Sequence, residues 1–430
     1  MILTWRAGAL SAIAVIAVAV AGTWWAVLIA TGALVAVIVA DIALGASPSQ
    51  VRARRDGDIS VRLGEEAQTQ LILTNLGRRD LIATVRNAWT PSAGARDGVQ
   101  RVSVPARQRR QLELTLRPTR RGDRRAGPVV IRSLGPLRVA GRQAEHSAPW
   151  TVRALPPFHA RKHLPSRLAR LRELDGRATL LQRGQGTEFD SLREYVPGDD
   201  VRSIDWRGTA RSTTVVVRTW RPERDRHVLI VLDSGRTSAG RVGDQPKLDY
   251  AMDAALLLGA LAARAGDRVD LLIADCDVRV SVLRKSAAEL LPAFVNAMAP
   301  SDPVLVETDH RSLVTEIATR VAHRSLVVIL TGLDAAAITE GLIPVLGPLR
   351  RKHKIVIAAV SDPRIDELVV GRSDVGEVYA AAAAEADLVR RAGTARSLRN
   401  LGISVVQAPP ERFAPALADH YLSLKKAGQL

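Results

Sequence analysis

The sequence predicts an α/β protein: a mostly parallel, doubly wound sheet, preceded by a β-sandwich domain and an N-terminal two-helix transmembrane hairpin. Three observations predict it. Residues 7–40 are 34 consecutive positions without a charge. Residues 50–155 alternate apolar and polar side chains, the period of half-buried strands. From residue 227 onward, short continuous apolar runs alternate with helical ones, as in a parallel sheet with helical crossovers. A chain of 430 residues that is 47% hydrophobic and 24% charged has the composition of about three globular domains. It excludes wholesale disorder, a collagen-like fibre and a polytopic transporter. The single cysteine, Cys276, excludes a disulfide framework and the thiolate-rich zinc sites.

The formal net charge is +17, and only seven of the 61 basic residues are lysine. Aromatic residues make up 3%, so the arginines are not interleaved with the rings that single-strand nucleic-acid binders stack on. A membrane surface, not nucleic acid, is the partner this charge suggests. As one helix, the uncharged run would be about 51 Å long at 1.5 Å per residue, against a hydrocarbon core of about 30 Å. Two spans joined near Gly22-Thr23 fit better, over residues 5–21 and 24–43. Trp24 and Trp25 would then lie at headgroup depth. Arg6 lies at the very start of the first span, and Arg52, Arg54 and Arg55 follow the second. The positive-inside rule then places both ends, and the soluble domains, in the cytoplasm.

The hairpin is assigned to 1–45 and the sandwich to 50–155. Several short strands separated by close turn signals suggest an immunoglobulin-like sandwich. Twelve arginines against three acids between 101 and 150 would suit anionic lipid heads. Residues 156–226 are read as a linker and a distinctive segment, with "ALPPFHARKHLP" at 154–165 as the linker itself. The α/β domain is assigned to 227–430. Its buried strands are "HVLIVLD", "RVDLLIAD", "SLVVILTGL", "KIVIAAVSD" and "GISVVQAP", with "DVRVSVLR" as an alternating edge strand. "KLDYAMDAALLLGALAARAG", "AAAITEGLIPVLGPLRR" and the Ala-rich 374–400 are read as helices.

The distinctive segment is "RGQGTEFDSLREYVPGDDVRSIDWRGTARSTTVVVRTW", residues 183–220. It gathers Gly184, Gly186, Glu188, Arg193, Tyr195, Gly198, Asp199, Asp200, Arg202, Asp205, Trp206 and Arg211. Pro197-Gly198 signals a turn. Asp200 and Asp205, interleaved with Arg193, Arg202 and Arg211, suggest charge-assisted pairs that pin a loop. On chemistry alone this is a local ion-pair clasp.

The pattern GxGxEF…LREYxPGDDxRxIDWxxxAR resembles the signature of the domain of unknown function 58 family. The resemblance implies a von Willebrand factor A-like domain behind two membrane spans and a β-rich domain. It also implies a MoxR-type AAA+ ATPase as partner. Such a domain usually holds Mg²⁺ on a loop reading Asp-x-Ser-x-Ser, with a threonine and an aspartate from later loops. In "LDSGRTS", Asp233 matches the aspartate and Thr237 the second hydroxyl, while Gly235 replaces the first. Thr308 is a weak match for the later threonine. In "LTGLD", Gly332 stands where the second carboxylate belongs, and Asp334 comes two residues late. With a carboxylate lost, tight Mg²⁺ binding is not expected; Asp233 would instead cap its loop by accepting backbone N–H groups.

No nucleophile elbow, HExxH or phosphate loop is present in the sequence. Cys276 lies between Asp275 and Asp277, which disfavours a thiolate, and it is read as a packing residue. The expected function is that of a membrane-anchored, non-catalytic adaptor or chaperone-like protein. It would work with a MoxR-type ATPase on the assembly of an unidentified client. Two alternatives remain: an enzyme using the Glu188/Asp199/Asp200/Asp205 carboxylates, or a structural envelope scaffold without an ATPase.

Overall fold

The computed structural model describes residues 1–181, 188–221 and 226–430. The chain divides into two units, Met1–Pro157 and Phe158–Leu430.

The first unit opens with a short strand β1 (Ile2–Leu3) and two apolar helices, α1 (Trp5–Ala21) and α2 (Trp24–Leu44). Gly22 ends α1 in the left-handed conformation, φ 64°, which glycine adopts without a Cβ penalty. The Trp24 and Trp25 rings stack at 3.9 Å on the next turn. The α2 segment is long and apolar enough to cross a membrane, and α1, at 17 residues, is a shorter apolar helix. The strands follow: β2 (Val51–Gly57), β3 (Ser60–Arg62), β4 (Ala67–Asn75), β5 (Leu81–Trp89), β6 (Val99–Val104), β7 (Arg109–Leu116), β8 (Gly122–Leu134), β9 (Ala140–His146) and β10 (Thr151–Leu155). Strands β2, β4 and β7 form one sheet; the others form a second, centred on the 13-residue β8. Alternate residues of both sheets, including Leu71, Leu73, Val85, Val104 and Ile131, meet in one buried core. That packing follows from the period-2 pattern.

Both ends of the apolar helical segment are tied to the β8–β9 turn. Asp41, fully buried near the end of α2, accepts backbone N–H bonds from Leu137, Val139 and Ala140 at 2.7–2.8 Å. Thr4 donates its N–H to the Val139 carbonyl, and β1 pairs antiparallel with β9. Gly135 has no room for a side chain, since a Cβ would come within 2.2 Å of the Asp41 carboxylate. Arg55, expected as a flanking membrane charge, is instead buried in this unit. Its guanidinium reaches Asn87 Oδ1 and the carbonyls of Ala148, Ala88 and Gly127. Burial with no carboxylate among these partners pushes its pKa down to about 10.

The second unit begins with α3 (Leu164–Leu181), so helix already starts inside the stretch read as linker. Next come β11 (Glu188–Glu194), the one-turn α4 (Trp206–Thr209) and β12 (Val216–Arg221), with β11 and β12 pairing antiparallel. The main domain runs β13 (His227–Asp233), α5 (Arg236–Ala239), a small ribbon β14–β15 (Arg241–Val242, Gln245–Pro246) and α6 (Lys247–Arg264). It continues through β16 (Arg268–Ala274), β17 (Val278–Val282), α7 (Ala287–Met298), α8 (His310–Arg320), β18 (Leu326–Leu330), α9 (Gly347–Lys352) and β19 (Lys354–Val360). It closes with α10 (Pro363–Val370), α11 (Val375–Asn400), β20 (Ser404–Ala408) and α12 (Pro410–Lys426). The "AAAITEGLIPVLGPLRR" stretch is not one helix. It passes from a π-turn through a 3₁₀ turn into α9, broken where Pro344 and Pro348 remove backbone donors.

The sheet order is β17-β16-β13-β18-β19-β20, parallel except for the edge strand β17. Leu229 and Val231 of β13 face a core that includes α8 and residues 338–349. Between them Ile230 faces α6, lying near Gly259. Helices thus cover both faces, which explains why β13 is apolar at every position rather than at alternate ones.

Candidate functional site

The chain moves from β13 outward to β16 on one side and to β18 on the other. The switch point therefore lies between β13 and β18, and in open α/β sheets ligands bind at the carboxyl ends of the strands there. Asp233 closes β13 at this place and is 1% exposed. Four donors surround its carboxylate. Oδ1 accepts from the Gly235 N–H at 2.8 Å and the Thr308 hydroxyl at 2.6 Å. Oδ2 accepts from the Thr237 hydroxyl at 2.8 Å and the Thr331 hydroxyl at 2.5 Å. Asp233, Thr237 and Thr308 are thus brought together, as the sequence suggested. Thr331 was missed: it follows the last residue of β18, a position that any strand-edge ligand search should include.

The loops around Asp233 are laced together. Ser234 donates its N–H to Ala274 and its hydroxyl to Asp275 Oδ2 at 2.9 Å. Arg236 N–H bonds the Val306 carbonyl, and Asp309 N–H bonds that of Asp275. Burial alone would raise the Asp275 pKa. Hydrogen bonds from Arg279, Ser234 and the Cys276 N–H outweigh it and hold the carboxyl below its usual range. Cys276 is exposed and donates to the Glu307 carbonyl at 3.4 Å. This corrects its reading as a packing residue: it sits on the loop beyond β16, past the buried part of the strand.

The residues do not fit a tightly held magnesium ion. Among the described residues no group of three or more His, Cys, Asp or Glu gathers where a metal could sit. Asp233 brings a single carboxylate, and both of its oxygens are already engaged by the Gly235 N–H and three threonine hydroxyls. Gly235 has a steric reason: a Cβ there would lie 2.3 Å from Thr308 Oγ1, so the Thr308 hydroxyl occupies the space of a side chain. At Gly332, a Cβ would press to 3.1 Å on that of Thr237.

Beside the caged aspartate lies a cavity of about 230 Å³, lined by Thr237, Lys247, Gly332, Asp334, Asp387 and Arg391 among others. Asp387 binds Arg391 at 2.7 Å and Arg390 at 3.7 Å. Lys247 opens α6. Its ammonium has no hydrogen bond or ion pair among the described residues. Burial, then the nearby Arg391, push its pKa down, against the pull of Asp362, Asp334 and Asp387. Lys247 was read from the sequence only as the start of a helix.

The distinctive segment forms a separate structure on β11 and β12. Gly184 and Gly186 lie outside the described residues, as does the side chain of Glu188. Arg193 pairs with Asp199, whose other oxygen accepts the Val196 N–H at 3.0 Å. Gly198 turns the chain at φ 108°. Tyr195 N–H bonds the Val215 carbonyl. Asp200 accepts the Arg202 N–H at 3.0 Å. Asp205 caps α4 through the N–H groups of Arg207 and Gly208, and its second oxygen binds Arg218 at 2.8 Å. The expected pairing therefore needs correction. Asp200 acts as a backbone cap, Asp205 pairs with Arg218 of β12, and neither the Arg202 nor the Arg211 guanidinium makes a bond among the described residues. Close capping wins because a carboxylate two or three positions before free N–H groups needs no long side chain to be ordered. Trp206 is 68% exposed.

The class so defined is an α/β protein with a hydroxyl-caged aspartate at its sheet switch point, behind a β-domain and an apolar N-terminal helix. Residues 191–399 match the family described as Protein of unknown function DUF58. The chain is 26% identical over 270 residues to the uncharacterized protein Rv1480 of Mycobacterium tuberculosis, covering 57% of this chain and 82% of the relative. The uncharacterized protein Mb1516 of Mycobacterium bovis matches equally. Among solved structures, the CARDB domain of PF1109 from Pyrococcus furiosus is 17% identical with a TM-score of 0.18. It covers 24% of this chain and 86% of that domain. The native alpha-2-macroglobulin of Escherichia coli, from domain MG7 to its C-terminus, is 19% identical with a TM-score of 0.20 over 26% of this chain and 17% of that one.

Proposed function

We propose that this chain is a membrane-anchored, non-catalytic adaptor that docks a MoxR-type AAA+ ATPase and serves the assembly or maturation of a client protein. The observation that carries this reading is the caged Asp233. It lies at the position where open α/β sheets bind ligands, yet its lone pairs are engaged by the chain itself, which suits a rigid recognition surface better than a reacting group. The second unit is read as von Willebrand factor A-like. The sheet order with one antiparallel edge strand and the convergence of Asp233, Thr237 and Thr308 support this. The ATPase partner follows from the family resemblance.

Apolar helices α1 and α2 are read as a two-span hairpin. In support, both of its ends are held by one turn of the β-domain, as two ends on the same side of a bilayer would be. Arg6, Arg52 and Arg54 at those ends favour the cytoplasmic side; Arg55 is spent inside the domain. The test is co-purification of the full chain in mild detergent, with and without ATP. The expected result is an AAA+ ATPase of the MoxR type in at least one condition. Its absence in both overturns the adaptor reading.

A further inference from the structure

The geometry points to the cavity beside Asp233 as a pocket for a carboxylate, carried on an acidic side chain of the docking partner. This rests on the docking reading above and names the chemistry that the partner presents. Lys247 is the reason. Its side chain lines an open cavity of about 230 Å³. It has no hydrogen bond or ion pair among the described residues. Its neighbours in the wall are differently placed, because Asp387 is already held by Arg390 and Arg391. Asp362, Asp334 and Asp387 attract this ammonium from a distance, but none of them bonds it directly, so a half-buried cation keeps its donors open to a partner's acceptor.

The charge of the wall selects the ligand. Lys247, Arg390 and Arg391 oppose Asp334 and Asp387, three positive against two negative, a surplus of one. A single carboxylate neutralises it, whereas a phosphate dianion would leave an excess of negative charge. The pocket also lies where a partner can reach it. Asp334, Arg390 and Gln407 in its wall are exposed.

The test is a lysine footprint on the full chain in detergent. A neutral amine-acetylating reagent modifies the seven lysines, and mass spectrometry follows each. Acetyl-tetraglutamate amide, which has no amine of its own, is the probe. Tetraglutamine and free glutarate are the comparison arms. The expected result is that tetraglutamate slows acetylation of Lys247 by about tenfold, the effect of an occupant stable by some 1.4 kcal/mol. The slowing is saturable and leaves Lys162 and Lys285 unchanged, and tetraglutamine has no effect. The double substitution Arg390→Gln and Arg391→Gln, which reverses the surplus, abolishes the protection.

Absence of protection, equal protection by tetraglutamine, or protection spread over all lysines overturns the pocket. Protection by glutarate as strong as by the peptide overturns the assignment to a docking side chain and makes the ligand a free acid. The footprint needs no ATPase. A protected Lys247 with a failed co-purification therefore removes the ATPase and leaves the pocket, while an unprotected Lys247 with a successful one does the reverse.

Discussion

Asp233 illustrates what a single residue carries in this protein. Its carboxylate satisfies three hydroxyls and one N–H in a buried place, so truncation strands four donors at once. Asp233→Ala is expected to cost roughly 3–5 kcal/mol of stability, read by thermal unfolding of the full chain. Thr331→Val removes one donor and should cost about 1–2 kcal/mol. Histidines give the second prediction at this scale. Burial pushes the pKa values of His353 and His420 down. The Nδ1 of His353 and the Nε2 of His420 are buried without a partner. A histidine whose folded pKa is depressed binds fewer protons folded than unfolded, so its contribution is fully present above about pH 6.5 and declines as pH falls toward the folded value. Stability measured from pH 8 to 5 should fall below about pH 6.5, and His420→Leu should flatten that fall. A fall of equal size in the variant would assign it to other groups.

At the scale of elements, the capping pattern decides how the 195–215 excursion holds its shape. Asp205→Asn keeps an acceptor for the Arg207 and Gly208 N–H groups and loses the charge on Arg218. Asp205→Ala loses both. Hydrogen exchange at those two amides should therefore rise strongly in the alanine variant and little in the asparagine one. The β8–β9 turn makes a sharper prediction. Asp41→Ala leaves the N–H groups of Leu137, Val139 and Ala140 without their acceptor, and Gly135→Ala places a methyl group on the carboxylate itself. Both should speed trypsin cleavage after the exposed Arg138 relative to the parent chain.

The elements themselves were legible where burial imposes one period. The all-apolar "HVLIVLD" became β13, and the alternating β4 and β5 became core strands. What sequence could not give was long-range pairing. Arg55 looks like a charge flanking a membrane span until β5 and β8 bring Asn87 and Gly127 to it. Asp233, Thr237 and Thr308 were legible through one loop motif, whereas Thr331 and Lys247 join the site only because β18 and α6 begin or end beside it. The ion partners in 193–218 were misjudged because Asp200 is taken by a neighbouring N–H and Asp205 by Arg218, which β12 brings to it.

For the whole molecule, the lone exposed Cys276 offers a direct readout of the proposed orientation. A membrane-impermeant maleimide should leave it unmodified in intact cells and label it after permeabilisation; labelling of intact cells would place the second unit outside.

The turn that grips Asp41 has a mechanical consequence. It joins β9 to β8, a strand that pairs with β5 and β9 along one half and with β10 along the other. A torque applied to the greasy helices has no slack loop in which to dissipate. It is delivered into one stiff girder whose far end braces the final strand of the domain, so the apolar helices and the exit of that domain share a single load path.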